Sequence, residues 1–388
     1  MIKKISLYKL YIFSLILSMY FLIFSVDIGV NIRPIMIFLI PGFFIIIFKG
    51  IKINILNYEK VFLIFVLYSL IRGVFSQDKE GFIRMFLGYF FVLLVYIISD
   101  NIFRNINIKD LEKIFIIASF IATLISFILF ISKFPPSMHF DKGFYRMGGL
   151  LPDPNFLGLY LTPIYGLLLF KILNSKKIRM YLIIIISIIL ICIFLTWSRS
   201  AFLGLAILSL MLIYRFNKIG KKKIIYIIIF LLIIYISTFF VDYIEIIEKM
   251  SGMDLKTIFQ KRFVDDNGGS GRLVIWNNGI AIFKINPIFG IGALNFRYYN
   301  MLLFNEGHFM HNTFLEILCE NGIIGMSIFI IFIILFIKNK TYNKYSILIK
   351  CIIIAMLIQA FFLTALLTDI FYIMFVFYKI LNRREGIT

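Results

Sequence analysis

The chain has 388 residues, 61% of them hydrophobic and only 15% charged, with a mean hydropathy of +0.98. So little polar surface excludes a water-soluble globule and excludes disorder, leaving lipid as the solvent for most of the chain. Lys and Arg total 40 against 20 Asp and Glu, a net charge of +20. The basic residues fall in short clusters between apolar runs and form no continuous face for nucleic acid.

A helix needs about 20 mostly apolar residues to cross the hydrocarbon core. Twelve runs approach that requirement: 10–26, 34–49, 60–76, 82–99, 111–132, 154–171, 179–197, 200–215, 223–241, 322–337, 346–366 and 368–381. The eighth is short and the last two are nearly continuous, so the count is eleven or twelve. The first run follows Lys3, Lys4 and Lys9 in the manner of a signal peptide. It has no small-residue cleavage site and another apolar run follows at once, so it reads as the first span.

Basic clusters occupy alternate connections, from Lys3, Lys4 and Lys9 through Lys49, Lys52 and Lys60 to Lys379, Arg383 and Arg384. These connections hold 24 basic residues against five acidic ones, whereas the others balance at 15 and 15, and the remaining Lys350 lies near the inner end of its helix, where it can snorkel to the interface. The positive-inside rule then places the basic connections and both termini in the cytoplasm. The expected architecture is an all-α polytopic membrane protein, one integral membrane domain over residues 1–388 in the cytoplasmic (inner) membrane. A large extracytoplasmic helical loop, 242–321, separates the ninth and tenth spans.

The three cysteines, Cys192, Cys319 and Cys351, lie in or beside apolar runs without a pairing motif and read as small core hydrophobes. All three histidines, His139, His308 and His311, fall on the extracytoplasmic side, so chemistry is expected there. Four features lie on that side. Residues 133–155 contain Arg146, and Pro152 and Pro154 bracket a helix start at which Asp153 or Asn155 is either a cap or a ligand. Trp197, Ser198 and Arg199 form a tight turn; there the arginine either anchors to headgroups or meets an anion.

The third feature follows Gly271 and Arg272, where apolar residues at helical spacing from Leu273 to Phe283 predict an amphipathic helix ended by the turn around Pro287. In the fourth, Phe314, Leu315, Ile317 and Leu318 predict an apolar helix face with His311 at its N-terminal end. The helix dipole there favours the neutral, base-competent imidazole. His308 and His311 alone, with no clear third ligand, make a weak metal signal.

In this order, Arg146 to Asn155, Ser198 and Arg199, Gly271 with Arg272 and Trp276, and His311 with Asn312 followed at fixed spacing by Gly322 and Gly325 resemble the O-antigen ligase and Wzy-type polysaccharide polymerase superfamily. The resemblance implies a GT-C-like, metal-independent, inverting glycosyltransferase without a cofactor. Its donor would be an undecaprenyl diphosphate-linked oligosaccharide. Arginine suits a pyrophosphate because guanidinium binds phosphate oxygens through two parallel hydrogen bonds. Arg199 and Arg272 are the leading pyrophosphate ligands implied, with Arg146 and Arg297 secondary. His311 would be the general base toward the acceptor hydroxyl. Asp153 and Asn155 would meet sugar hydroxyls. Arg72 and Arg84 either line the same cavity or snorkel.

A polymerase joining repeat units is favoured over a ligase acting on lipid A core, because the Ile-, Lys-, Asn- and Phe-rich composition suggests an AT-rich genome, common among bacteria without lipid A. A protein oligosaccharyltransferase, usually longer at its C-terminus, ranks lower. Membrane lipid, a chain-length regulator and a flippase are the expected partners. The alternative of another class, a flippase for the same lipid-linked glycan, predicts internal repeats and midplane charges, which the sequence does not display.

Overall fold

The computed structural model describes residues 7–27, 31–141, 144–175, 179–216 and 271–383. It is mostly helical, with thirteen α-helices among these residues: α1 Leu7–Ser18, α2 Pro34–Lys49, α3 Asn57–Val74, α4 Lys79–Phe103, α5 Ile108–Ile131, α6 Pro154–Asn174, α7 Met180–Leu195, α8 Arg199–Arg215, α9 Arg272–Phe283, α10 Phe296–Phe304, α11 Thr313–Lys338, α12 Lys344–Gln359 and α13 Asp369–Arg383. Two short antiparallel hairpins complete it, β1 (Val26–Asp27) with β2 (Asn31–Ile32) and β3 (Met138–Asp141) with β4 (Phe144–Met147). The ninth expected span and residues 242–270 of the expected loop lie outside the described residues.

Among the described residues five helices are long and apolar enough to cross a membrane: α4, α5, α6, α11, and α12 with the 3₁₀ turn that extends it to Phe362. The expected first span is shorter in the structure, because α1 stops at Ser18. The chain then leaves the helix, and the Ile23 N–H donates to the Leu150 carbonyl at 2.9 Å.

The described residues pack as two compact units, drawn from Met1–Phe38, Ile106–Asn267 and Cys351–Met356 in one, and from Leu39–Asn105, Gly268–Lys350 and Leu357–Thr388 in the other. At the centre of the first is α6, which is buried along most of its length and packs on α5, α7 and α8. Gly158 permits the close approach of α8, since a Cβ there would lie 2.5 Å from that of Ala201.

In the second unit α3 packs on α11 and α4 on α13. Aromatic rings of Tyr58, Phe62, Phe65, Phe329, Phe332, Phe336, Phe375 and Tyr378 interlock between α3, α11 and α13. Into this apolar packing α13 projects Lys379, only 2% exposed, which meets Glu59 of α3 and Asp100 of α4 at 3.0 Å each. Tyr96 donates to Glu59, and Arg104 pairs with Asp100, so two cations balance two anions. Breaking such a buried set leaves charge uncompensated at a cost of about 3–5 kcal/mol. Lys379→Ala is therefore expected to lower the thermal unfolding temperature in detergent sharply, and Lys379→Met with Glu59→Gln and Asp100→Asn together much less.

Candidate functional site

In the first unit the candidate side chains Arg146, Asp153, Asn155, Ser198 and Arg199 lie on β4 and at the starts of α6 and α8. Arg146, on β4, is 3% exposed and committed in three directions. Its Nε donates to the Thr196 carbonyl at 2.9 Å, Nη1 to Asp141 at 3.0 Å, and Nη2 to Asn155 Oδ1 at 3.1 Å. The same Asn155 oxygen accepts from Ser198 Oγ at 2.8 Å, and Ser198 lies 3.0 Å from the Ser200 hydroxyl. Asp153 caps α6, accepting from the Asn155 N–H at 2.6 Å, with Pro154 at the first helical position.

Trp197 has φ +49°, in the left-handed region. Ser198 follows as the cap of α8, so Arg199 is the first helical residue and half-buried. Thus Arg146, Asn155 and Ser198 form one network behind the turn that presents Arg199.

The second unit holds the remaining motif residues. Gly271, with φ +75°, opens α9, making Arg272 its first residue. One turn on, Trp276 Nε1 donates to the Met310 carbonyl at 3.1 Å, tying α9 to the residue before His311. His311 is half-buried with φ +49°. Asn312 then caps α11, its Oδ1 accepting from the N–H groups of Phe314 at 3.1 Å and Leu315 at 3.0 Å. Thr313 anchors that first turn, its N–H donating to the Leu363 carbonyl at 2.9 Å and its hydroxyl accepting from Ala365 at 2.9 Å. Arg297, exposed on α10, donates to the Gly307 carbonyl at 2.8 Å and lies over the Phe309 ring, so it orders the segment leading to His311.

The glycines of the last motif mark a break in α11. Gly322 has φ +66° and ψ −170°, and residues 286–296, a run of turns that ends at the start of α10, cross the break as a strap. The strap donates from Ile291 and Gly292 to the carbonyls of Cys319 and Glu320, and accepts at Pro287 and Ile288 from Ile323 and Ile324. A Cβ on Gly322 would lie 2.3 Å from the Ile288 carbonyl oxygen. One on Gly325 would press on the Tyr68 ring.

Sequence reasoning missed the carboxylates here. The buried face of the first turns of α11 carries Glu316 and Glu320, while Phe314, Leu315 and Leu318 of the expected apolar face are only half-buried. Two acids four apart within an apolar helix are the signal that pointed to it. Arg72, on α3, donates from Nε and Nη2 to the strap carbonyls of Phe289 and Gly290 at 3.0 and 2.9 Å. Arg84 makes a surface pair with Glu80 on its own helix.

His308 is exposed with Glu306 at 3.5 Å, and His139 is exposed on β3. Among the described residues no three His, Cys, Asp or Glu side chains gather as a metal site. The first unit therefore offers a cationic side chain at the first residue of α8; the second, by itself, offers one at the first residue of α9 and an imidazole at the entry to α11, and helix starts favour anions. The Gly322 conformation is nearly glycine-only and costs other residues about 1–3 kcal/mol before any clash. Gly322→Ala is expected to lose that much or more in thermal unfolding, whereas Gly307→Ala, with open space around its Cβ position, should unfold as the wild type does.

No curated protein matches the chain at a significant level. A family model described as O-antigen ligase matches residues 182–330, which include Arg199, Arg272, Trp276, His311, Asn312, Gly322 and Gly325. Over that stretch, which holds the turn before α8 and the broken helix α11, the chain is similar to the O-antigen ligase family.

Proposed function

We propose that the protein is an extracytoplasmic polysaccharide polymerase, a multi-pass enzyme of about twelve spans and GT-C type in the cytoplasmic membrane. It transfers an undecaprenyl diphosphate-linked glycan to a sugar hydroxyl of an acceptor. The observation that carries this reading is the entry to α11. An imidazole held in the left-handed region and followed by a capping Asn312 is tied through Met310 to the helix that Arg272 begins. All of these residues lie within the matched stretch.

In the proposed step the acceptor oxygen attacks the anomeric carbon and its proton passes to His311. The bond from that carbon to the diphosphate oxygen breaks, and undecaprenyl diphosphate leaves with the electron pair. One displacement inverts the anomeric centre. Arg199 and Arg272 take the pyrophosphate, because guanidinium pairs with it bidentately at helix starts that already favour negative charge. Arg146 and Arg297, which donate to protein acceptors, serve by holding the Arg199 turn and the His311 segment. Asn155 and Asp153 act in the same way, as a hydrogen-bond hub and a helix cap.

Composition favours the polymerase over a lipid A core ligase, as argued from the sequence. Reconstituted with a lipid-linked repeat unit and no lipid A, the protein should elongate the glycan. His311→Ala should reduce that rate by roughly 10²- to 10⁴-fold at equal protein level, the range of general-base catalysis. Transfer only after lipid A core is added would instead establish a ligase, and elongation by His311→Ala at the wild-type rate would refute the base. Arg199→Lys keeps the charge and loses the fork, so donor KM should rise; an unchanged donor KM would return Arg199 to the role of headgroup anchor.

A further inference from the structure

Arg72 and Glu320 have no part in the step above, yet both grip the strap that lies across the broken helix. Glu320 is 5% exposed. Its Oε2 accepts from the Leu294 N–H at 2.8 Å and its Oε1 from the Phe296 N–H at 3.1 Å. Those groups open α10, whose own cap residue, Asn295, turns its amide to the Ile291 carbonyl at 2.7 Å and makes no side-chain cap bond. Glu320 is thus a cap supplied from another helix, a carboxylate at the positive end of the α10 dipole.

Arg72 grips the other end of the strap. Its guanidinium fork takes two consecutive carbonyls, Phe289 and Gly290, and lies 5.6 Å from the Phe289 ring centroid. Beside it, Tyr68 donates to the Asn321 carbonyl at the break, at 3.1 Å.

From the strap a chain of contacts leads to His311. The strap fixes the start of α10, and α10 places Arg297 on Gly307 and Phe309. Asn300 of α10 also binds the Asn278 amide and the Glu306 N–H. The segment so held ends at Met310, where Trp276 is bonded, and the next residue is His311. We infer that Arg72 and Glu320 are positioning residues: through the strap and α10 they set the location of the His311 imidazole, and Arg72 is occupied with main-chain carbonyls instead of donor phosphate. This rests on His311 being the base.

The test uses the full chain in liposomes with the lipid diphosphate-linked repeat unit, with initial rates measured against donor concentration. Displacing a catalytic group by about 1 Å costs on the order of 10²-fold. Arg72→Ala and Glu320→Gln should accordingly lower kcat by roughly ten- to a hundredfold. Donor KM should stay within about twofold of wild type, as expected when no donor contact is removed. Arg72→Lys, which keeps one donor and the charge, should fall between Arg72→Ala and wild type.

Wild-type kcat in Arg72→Ala and Glu320→Gln, or a loss carried by donor KM, overturns the positioning role. His311→Ala is measured alongside. If it is inactive while the strap variants keep wild-type kcat, positioning fails alone; if it keeps its turnover, the base reading fails whatever the strap variants do. Size-exclusion chromatography in detergent reports folding, and where Glu320→Gln does not fold the two Arg72 variants decide.

Discussion

A helix that breaks within an apolar run uncovers N–H and C=O groups that apolar surroundings cannot satisfy, and in this protein other main chain satisfies them. The strap 286–296 does so for α11. It exchanges backbone hydrogen bonds on both sides of Gly322, fits only because Gly290 and Gly322 lack a Cβ, and is gripped by Arg72 and Glu320. Much of the candidate chemistry of the second unit hangs from this joint. It fixes where α10 begins, where α11 enters and how the segment between them is held.

Buried charge in the described residues is mostly turned to structure. Lys379 and Arg104 are matched by Glu59 and Asp100, Arg146 by Asp141, and Lys171 by Glu112. Lys379 joins α13 to α3 and α4, and Lys171 joins α6 to α5, helices whose apolar faces alone would slide past one another in lipid, while Arg146 and Asp141 tie the β3–β4 hairpin. Arg199 and Arg272 are the opening residues of helices, the local geometry that anion binding uses.

Much of this was legible in the sequence because the signals were local. Apolar runs marked the helices, Pro154 marked a helix start at which Asp153 was one of two candidate caps, and the spacing of Gly322 and Gly325 behind His311 carried the family resemblance. Other features depend on contacts across long stretches of chain, and spacing rules do not reach them. Nothing near Arg146 in sequence announces that Thr196 will accept from it. Nothing near Arg72 announces the carbonyls of Phe289 and Gly290. The end of α1 at Ser18 was hidden for the same reason, since the run stays apolar past the point where Leu150 draws the chain away. The carboxylates of α11 were visible as letters, but an amphipathic reading counts apolar residues and passes over the acids between them.

His311 occupies backbone that glycine or asparagine would adopt more comfortably, since a side chain at φ +49° crowds its own main chain. Trp197, just before the Arg199 turn, does the same. At both places the conformation argues for a small residue and the sequence supplies an aromatic ring. Under the proposed function the main chain and the chemistry prefer different residues at position 311, where the Asn312 cap and the Trp276 bond to Met310 hold the backbone on either side.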